Sequence, residues 1–407
     1  MANTLKFGNG NWAIKENSIL AYSDQYDNFK PLPFDFARAS NATVVNKEGL
    51  IETVANGIPR IDFLDSEDGA LLLEPQRTNY LPYSNKFTSW SATNATLIEN
   101  AIVSPDGTLN ATKITDNSAS GNHRIITNTT TPSSGNATYS IFVKKGTMKE
   151  CFLNMFSSGT IANVSVDLEN GTISSGTGVS QSIKSYGNDW YKVSITGVLA
   201  STNTYVYMYM KQGGGYVGVE DNMFMYGAQL EVGTYPTSYI PTQGSAVTRV
   251  ADACNNGANE QVINSTEGVL YFEGSALADD GTNRFLSLND GSTNNYIYFR
   301  YVSTSNQYLF RTQVGGTTIN TLSGFLTDTT QNHKFAFKFK SGDYAMWVDG
   351  VEISTNTSST IFANNTLSIL EYSFPTDGGD GFPSKTRDLR IYNTALTDQE
   401  LQALTQV

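Results

Sequence analysis

Few residues in this chain are of a type and spacing that could do covalent chemistry. Its two histidines, His123 and His333, each sit at the start of a period-two run, SGNHRIIT and HKFAFKF, and read as strand-end residues. With Cys151 and Cys254 they give no zinc-ligand spacing, and two such positions supply no nucleophile–histidine triad. The glycines at 213–215 follow a strand and open no helix, so they do not cradle phosphate. Paired carboxylates are the remaining route, because glycoside hydrolysis needs two acids about 5–10 Å apart across a sugar. With 38 acidic residues some pair meets that distance by chance, and the adjacent pairs Glu220, Asp221 and Asp279, Asp280 read as loop acids. The chain is expected not to be an enzyme.

Binding is the chemistry the sequence does offer. In NTYVYMYMK, Tyr205, Tyr207 and Tyr209 share one face with Lys211, while Val206, Met208 and Met210 take the other. A strand with one wet face then turns its tyrosines outward, where they could stack on sugars or pack against a neighbouring subunit or loop. Trp347 is likewise out of phase with Tyr344, Met346 and Val348, and the same two readings apply to it. Phe7 and Trp12 lie in an opening stretch without sustained period, and read either as cover for the domain behind them or as an anchor that fills pockets on another protein.

The elements that must position these residues are strands. Charged residues make up 16% of the chain and the formal net charge is −12, with no Lys/Arg cluster to release counterions from a nucleic acid. The 22 Tyr, 21 Phe and 35 Gly suit pleated surfaces and the turns between them, so the composition reads as all-β. Two cysteines do not make a disulfide framework. The first residues lack a charged segment followed by an apolar one, so no signal peptide is expected, and no apolar run is long enough to cross a membrane.

Residues 227–254, GAQLEVGTYPTSYIPTQGSAVTRVADAC, form a seam: Pro236 and Pro241 bracket an extended crossing, and CNNGANEQ after it reads as a flexible linker. The expected organisation is an irregular arm over 1–30, a hairpin-rich segment over 31–74, a β-sandwich over 75–254 and a second over 265–407. In the first sandwich Tyr139, Ile141 and Val143 share a face, as do Val164, Val166 and Leu168 ahead of an Asn-Gly turn. In the second, Phe335, Phe337 and Phe339 alternate with Lys334, Ala336, Lys338 and Lys340, Asp349–Gly350 makes a tight turn, and Thr397-x-x-Glu400 caps a short helix from about Asp398 to Thr405.

Two resemblances follow from longer stretches. The text FDFARAS, VNKEGLIETV, GALLLEPQRTNYL, YSIFVKKG, GNDWYKVSITG and MYGAQLEVGTYPTSYIPT, over roughly residues 29–254, resembles the module repeated in bacteriophage head-spike and tail-fibre proteins, itself similar to carbohydrate-binding jelly rolls. YFEGSA, HKFAFKF, YAMWVDGVEI and RDLRIYNTALTDQELQAL resemble the laminin-G or concanavalin-type sandwich. Such sandwiches imply a calcium ion at a loop rim in some members, for which Asp279, Asp280 and Asp290 are the candidates against a reading as solvated turn acids. The Glu-x-Asp-x-Glu run that concanavalin-type glycosidases tend to carry is missing. Together the resemblances imply a phage virion component that decorates the particle, docks through its N-terminus on capsid or tail proteins, forms a homo-oligomer (a trimer favoured over a dimer) and binds host glycans. The alternatives are a polysaccharide-degrading enzyme with a binding module, and a fibre with no ligand.

Overall fold

Period-two alternation becomes antiparallel strand through most of the chain. The computed structural model describes residues 5–23, 28–212, 215–375 and 381–407, with side chains described outside 20–32. Contacts divide it into two compact units, each assembled from separate stretches of sequence. The first comprises Met1–Asn41, Val54–Pro75 and Val250–Val407, and the second Ala42–Thr53 and Gln76–Arg249.

The second unit is a jelly-roll-like sandwich of two six-stranded sheets. One runs in the order Ser91–Thr93, His123–Thr130, Asn203–Lys211, Glu150–Phe156, Thr160–Asp167, Thr172–Thr177. The other runs Ala95–Val103, Leu109–Asp116, Asn222–Val232, Asn136–Lys145, Trp190–Val198, Ser180–Ser185. Their facing sides make one core, in which Tyr139, Ile141 and Val143 meet Leu153, Val164, Val206 and Met208. Within the segment 31–74, expected to be rich in hairpins, Ala42–Val45 and Ile51–Val54 pair as one.

The first unit is a concanavalin-like sandwich. Its smaller sheet has the order Thr317–Phe325, Gln307–Val314, Tyr296–Tyr301, Arg284–Asn289, Ile369–Glu371. The larger has Ser384–Tyr392, Glu267–Ala276, His333–Lys340, Tyr344–Val348 and Val351–Asn356 in succession. Phe272, Phe335, Phe337 and Leu389 face Leu286, Ile297, Phe299 and Phe310 across the core. Asp349 and Gly350 both take positive φ, 49° and 81°, as a type I′ turn requires. The helix Asp398–Thr405 starts at Thr397, whose side chain accepts from the Glu400 backbone in a reciprocal capping box.

The described residues of the stretch 1–30, expected as an irregular arm, contribute strands to this larger sheet instead. Leu5–Gly8 pairs antiparallel with Ser384–Tyr392, placing Phe7 opposite Leu389, and the sheet continues through Ser18–Ser23, Asn28–Ala37 and Ala253–Asn255. Leu5 is fully buried, and Phe7 is 2% exposed with its ring 4.5 Å from that of Phe34. The signal is weak in sequence because the strand is only four residues long and ends at Gly8. That glycine is required: at φ +88°, an added Cβ would lie 2.3 Å from the Arg387 carbonyl and 2.8 Å from the Trp12 ring.

The expected flexible linker is likewise part of the fold. Cys254 is 1% exposed and its carbonyl accepts from the Tyr372 N–H at 3.0 Å. Gly257 and Leu370 exchange both backbone hydrogen bonds at 2.9 and 2.7 Å. The small polar residues there fill turn positions, with Asn256 at φ 58° and Ala258 at φ 67°. The composition of a linker and that of a pinned, left-handed loop are the same; the hydrogen bonds tell them apart.

One buried ionic cluster joins the three sequence segments of the first unit. Arg60, with no solvent exposure, donates to Glu74 Oε2 at 2.6 Å and to Asp252 Oδ2 at 2.5 Å. Arg38 reaches Asp252 Oδ1 at 3.1 Å and the Ala55 carbonyl at 2.7 Å. The Glu74 N–H donates to Asp252 Oδ2, and the Asp252 N–H returns to the Glu74 carbonyl. Removing one member strands buried charge, which costs about 3–5 kcal/mol. Asp252→Ala should lower the stability of the first unit by that amount in urea, read by hydrogen-exchange mass spectrometry on its peptides. Phe7→Ala should cost a similar ~3–5 kcal/mol, the usual penalty for emptying a buried phenylalanine site; an unchanged melting curve would restore the anchor reading.

Candidate functional site

The strand Asn203–Lys211 lies third in its six-stranded sheet, with the alternation the sequence predicts. Val206, Met208 and Met210 are at most 1% exposed in the core. Tyr205, Tyr207 and Tyr209 occupy the opposite face; the first two are partly exposed and Tyr209 is 4% exposed. Ring centroids are 6.4 Å apart for Tyr205 and Tyr207 and 5.7 Å for Tyr207 and Tyr209, the latter pair stacked at 14°. Every second residue of a strand is about 6.6 Å along, so the rings form a continuous ladder.

The neighbouring strands complete the face. On one side Phe152, Asn154 and Phe156 stand opposite Tyr209, Tyr207 and Tyr205. Phe152 and Phe156 meet Tyr209 and Tyr205 edge-on at 5.6 and 6.1 Å. On the other side Arg124 lies over both Tyr207 and Tyr209, at 5.2 and 5.4 Å, and its Nη1 donates to the Tyr209 hydroxyl at 2.8 Å. Burial, followed by the neighbouring Tyr209, pushes the Tyr207 hydroxyl above its ordinary pKa, so it remains a neutral donor at pH 7. Asn154 is 8% exposed, and its shielded Oδ1 has no hydrogen-bond partner. A buried amide oxygen without a partner costs about 1–3 kcal/mol.

This arrangement offers flat apolar faces flanked by one amide, one guanidinium and phenolic hydroxyls. Such a surface can cover the C–H face of a sugar ring while bonding its hydroxyls. The carboxylate at its edge, Glu150, is ion-paired with Lys211. Of the contributing residues, sequence reading found the three tyrosines and missed Arg124, Phe152, Asn154 and Phe156. The signal was there in ECFLNMF, where Phe152, Asn154 and Phe156 alternate with Leu153 and Met155. What was hidden is that this strand lies beside the tyrosine strand.

The other predicted sites are placed differently. Trp347 is 7% exposed, packed with Tyr271, Tyr392, Leu401 and Leu404 beneath the helix Asp398–Thr405, so it is not a stacking platform. Period two located its face correctly, but the helix covers that face, and Lys338 from the adjacent strand ties down Asp398 at 3.0 Å. Phe7 is interior, and Trp12 packs against the same core and donates its Nε1 to the Asp68 carbonyl at 3.1 Å, so neither is a free anchor.

The three aspartates do not converge. Asp279 accepts from the Ser305 hydroxyl and the Asn306 N–H, and Asp290 from Ser292 and the Asn295 amide. Asp280 accepts from Arg284 at 2.8 Å; burial alone would raise its pKa, but that guanidinium and the Thr282 N–H hold it below the ordinary carboxylate range. Among the described residues no group of three or more His, Cys, Asp or Glu side chains could hold a metal ion. His123 is fully buried with its ring nitrogens 2.8 and 3.1 Å from the Asn94 and Ala119 carbonyls. Both cysteines are free and buried, Cys151 in the second unit's core and Cys254 in the first's. Residues 213 and 214 of the glycine run lie outside the described residues. No helix among the described residues is long and apolar enough to cross a membrane.

Residues 274–402 match the family model described as the concanavalin A-like lectin/glucanases superfamily. No curated protein matches the sequence. Among solved structures, the chain is similar to the sialidase CBM40 of Ruminococcus gnavus bound to α2,3-sialyllactose, at 14% identity and TM-score 0.30 over 35% of this chain and 83% of that one. It is also similar to domain 4 of the arabinanase AbnA from Geobacillus stearothermophilus in complex with arabinotriose, at 14% identity and TM-score 0.31 over 42% and 82%. A third is the heptameric SAP-like pentraxin of Limulus polyphemus, at 10% identity and TM-score 0.29 over 35% and 71%.

The corrected place of Trp347 has a measurable consequence. Trp347→Ala should destabilise the first unit by about 3–5 kcal/mol, as truncation of a buried tryptophan does, in a urea titration of the full chain. A stability change under 1 kcal/mol would contradict the packing under the helix.

Proposed function

We propose that this chain is a non-catalytic glycan-binding protein, with the tyrosine face of its second unit as the binding surface. The observation that carries the reading is the ladder Tyr205, Tyr207, Tyr209 flanked by Arg124 and Asn154. Partly exposed aromatic rings are costly to leave in water, and here they are aligned at sugar-ring spacing beside polar groups. The concanavalin A-like lectin/glucanases match over 274–402 supports the same class of role. So, at the level of sequence, does the resemblance of 29–254 to phage fibre modules.

On that resemblance we place the protein on a bacteriophage particle, as a head-fibre, spike or tail-fibre component that holds weakly to host or environmental glycans. Multiple copies turn weak single-site affinity into firm attachment, and a homo-oligomer, a trimer first, would present the tyrosine faces together. Antibody labelling of purified particles in the electron microscope tests this placement; particles without label would overturn it.

The binding surface is tested by affinity electrophoresis in gels containing arabinan, xylan or galactan. At least one of these should retard the full chain, and Tyr207→Ala should weaken retardation about tenfold or more, given the few kcal/mol that central interface aromatics carry. Because Tyr207 is partly exposed, its removal should leave the melting temperature within a few degrees. Retardation that is unaffected by Tyr207→Ala, or that no polysaccharide produces, would sink the assignment.

A further inference from the structure

The smaller sheet of the first unit carries a second unusual surface on the face turned away from its core. Tyr298 stands opposite Ser287 on one side and Arg311 on the other, and Arg300 stands opposite Phe285. Arg300 lies over the rings of Phe285 and Tyr298 at 5.3 and 5.8 Å, and Arg311 over Tyr298 at 5.9 Å. Tyr296 stacks on Tyr298 at 5.1 Å, and Phe374 packs edge-on against both. The aromatic floor is therefore closed, and what it presents is two guanidinium groups.

Neither arginine forms an ion pair among the described residues. Arg311 donates its Nε to the Thr321 hydroxyl at 3.1 Å; the Nε of Arg300 is buried without a hydrogen-bond partner. The acid in the same row, Glu371, is paired across Ser287 and accepts from the Asn289 amide at 2.7 Å. It lies three strands from Arg311, about 14 Å at the usual strand spacing. Burial also pushes the Glu371 carboxyl above its ordinary range. Burial, with the charge of Arg311 against it, pulls Arg300 below its ordinary pKa. In a chain with 38 acids to 26 bases, two neighbouring arginines without an acid are not explained by composition.

We propose that Arg300 and Arg311 form a binding site for an oxyanion, a carboxylate or a sulfate ester, carried on a saccharide. Planar guanidinium forks match such groups bidentately, and stacking on rings holds the forks in place without neutralising them. Beyond them Thr321 and Ser323 expose hydroxyls, while the Gln313 amide is engaged by the Tyr296 hydroxyl and the Thr293 carbonyl. Exposed hydroxyls suit the polyol part of a sugar. The net charge of −12 repels polyanions at long range, so capture has to come from this local geometry. The site lies in a different unit from the tyrosine face and stands without it.

The test is titration of the full chain with galacturonic acid, galactose 6-sulfate, galactose and sodium sulfate, followed by ligand-observed NMR. At least one of the two acidic sugars should bind saturably, and which one does identifies the oxyanion; galactose should bind about tenfold more weakly or not at all. Arg300→Gln and Arg311→Lys should each weaken the acidic sugar about tenfold or more, the worth of one charge-assisted hydrogen bond. Arg311→Lys retains the charge and should melt like the wild type, so its result is readable even if Arg300→Gln unfolds. Tyr207→Ala should change nothing here, which separates this site from the proposed tyrosine face. Equal binding of galactose, binding of inorganic sulfate alone, wild-type affinity in Arg311→Lys, or no binding of either acidic sugar would each overturn the proposal.

Discussion

Arg60 is the residue on which the first unit's construction turns. A guanidinium with no exposure is tolerable only if its donors are met by charge, and here Glu74 and Asp252 supply it. Asp252 in turn accepts from Arg38 and from the Glu74 backbone. These four residues come from the three separate sequence segments of the unit. A hydrophobic core would pack with many registers of those segments. A buried pair of carboxylates between two arginines accepts one, because any slip leaves a charge without its partner.

With that register fixed, the N-terminal strand falls beside Ser384–Tyr392 and its Phe7 enters the core opposite Leu389. The unit therefore depends on residues from both ends of the chain. Contacts this distant in sequence form late and at an entropic cost, which the core aromatics and the ionic cluster offset.

Both sandwiches spend aromatic residues on their outer faces, and the use differs by what covers them. Beneath the helix Asp398–Thr405, Trp347 and Tyr271 are ordinary core. On the tyrosine face Tyr205 and Tyr207 remain partly exposed, and the adjoining Asn154 oxygen is left without a partner. An unmet polar atom next to partly wet rings is a local sacrifice of stability, of the kind that binding surfaces make. Arg124 shows the other half of that trade. It lies over two rings and donates to the hydroxyl of one of them, so it is held in one place without being neutralised.

The sequence by itself determined the fold class, several core strands, the Asp349–Gly350 turn and the capped final helix, since pleat alternation, turn residues and the capping box act within a few residues. It also determined that Tyr205, Tyr207 and Tyr209 share a face opposite Met208. It did not determine what lies beyond that face. Asn154 beside Tyr207, and the helix over Trp347, are set by which strands pair and which element packs on top, and period two is the same in either case. The same blindness made a four-residue strand ending in Gly8 read as an irregular arm, and CNNGANEQ read as a linker. Whether Phe7 is buried, or Gly257 is bonded to Leu370, depends on partners 382 and 113 residues away. Only the tertiary structure brings those partners together, because it alone satisfies the buried charge on Arg60.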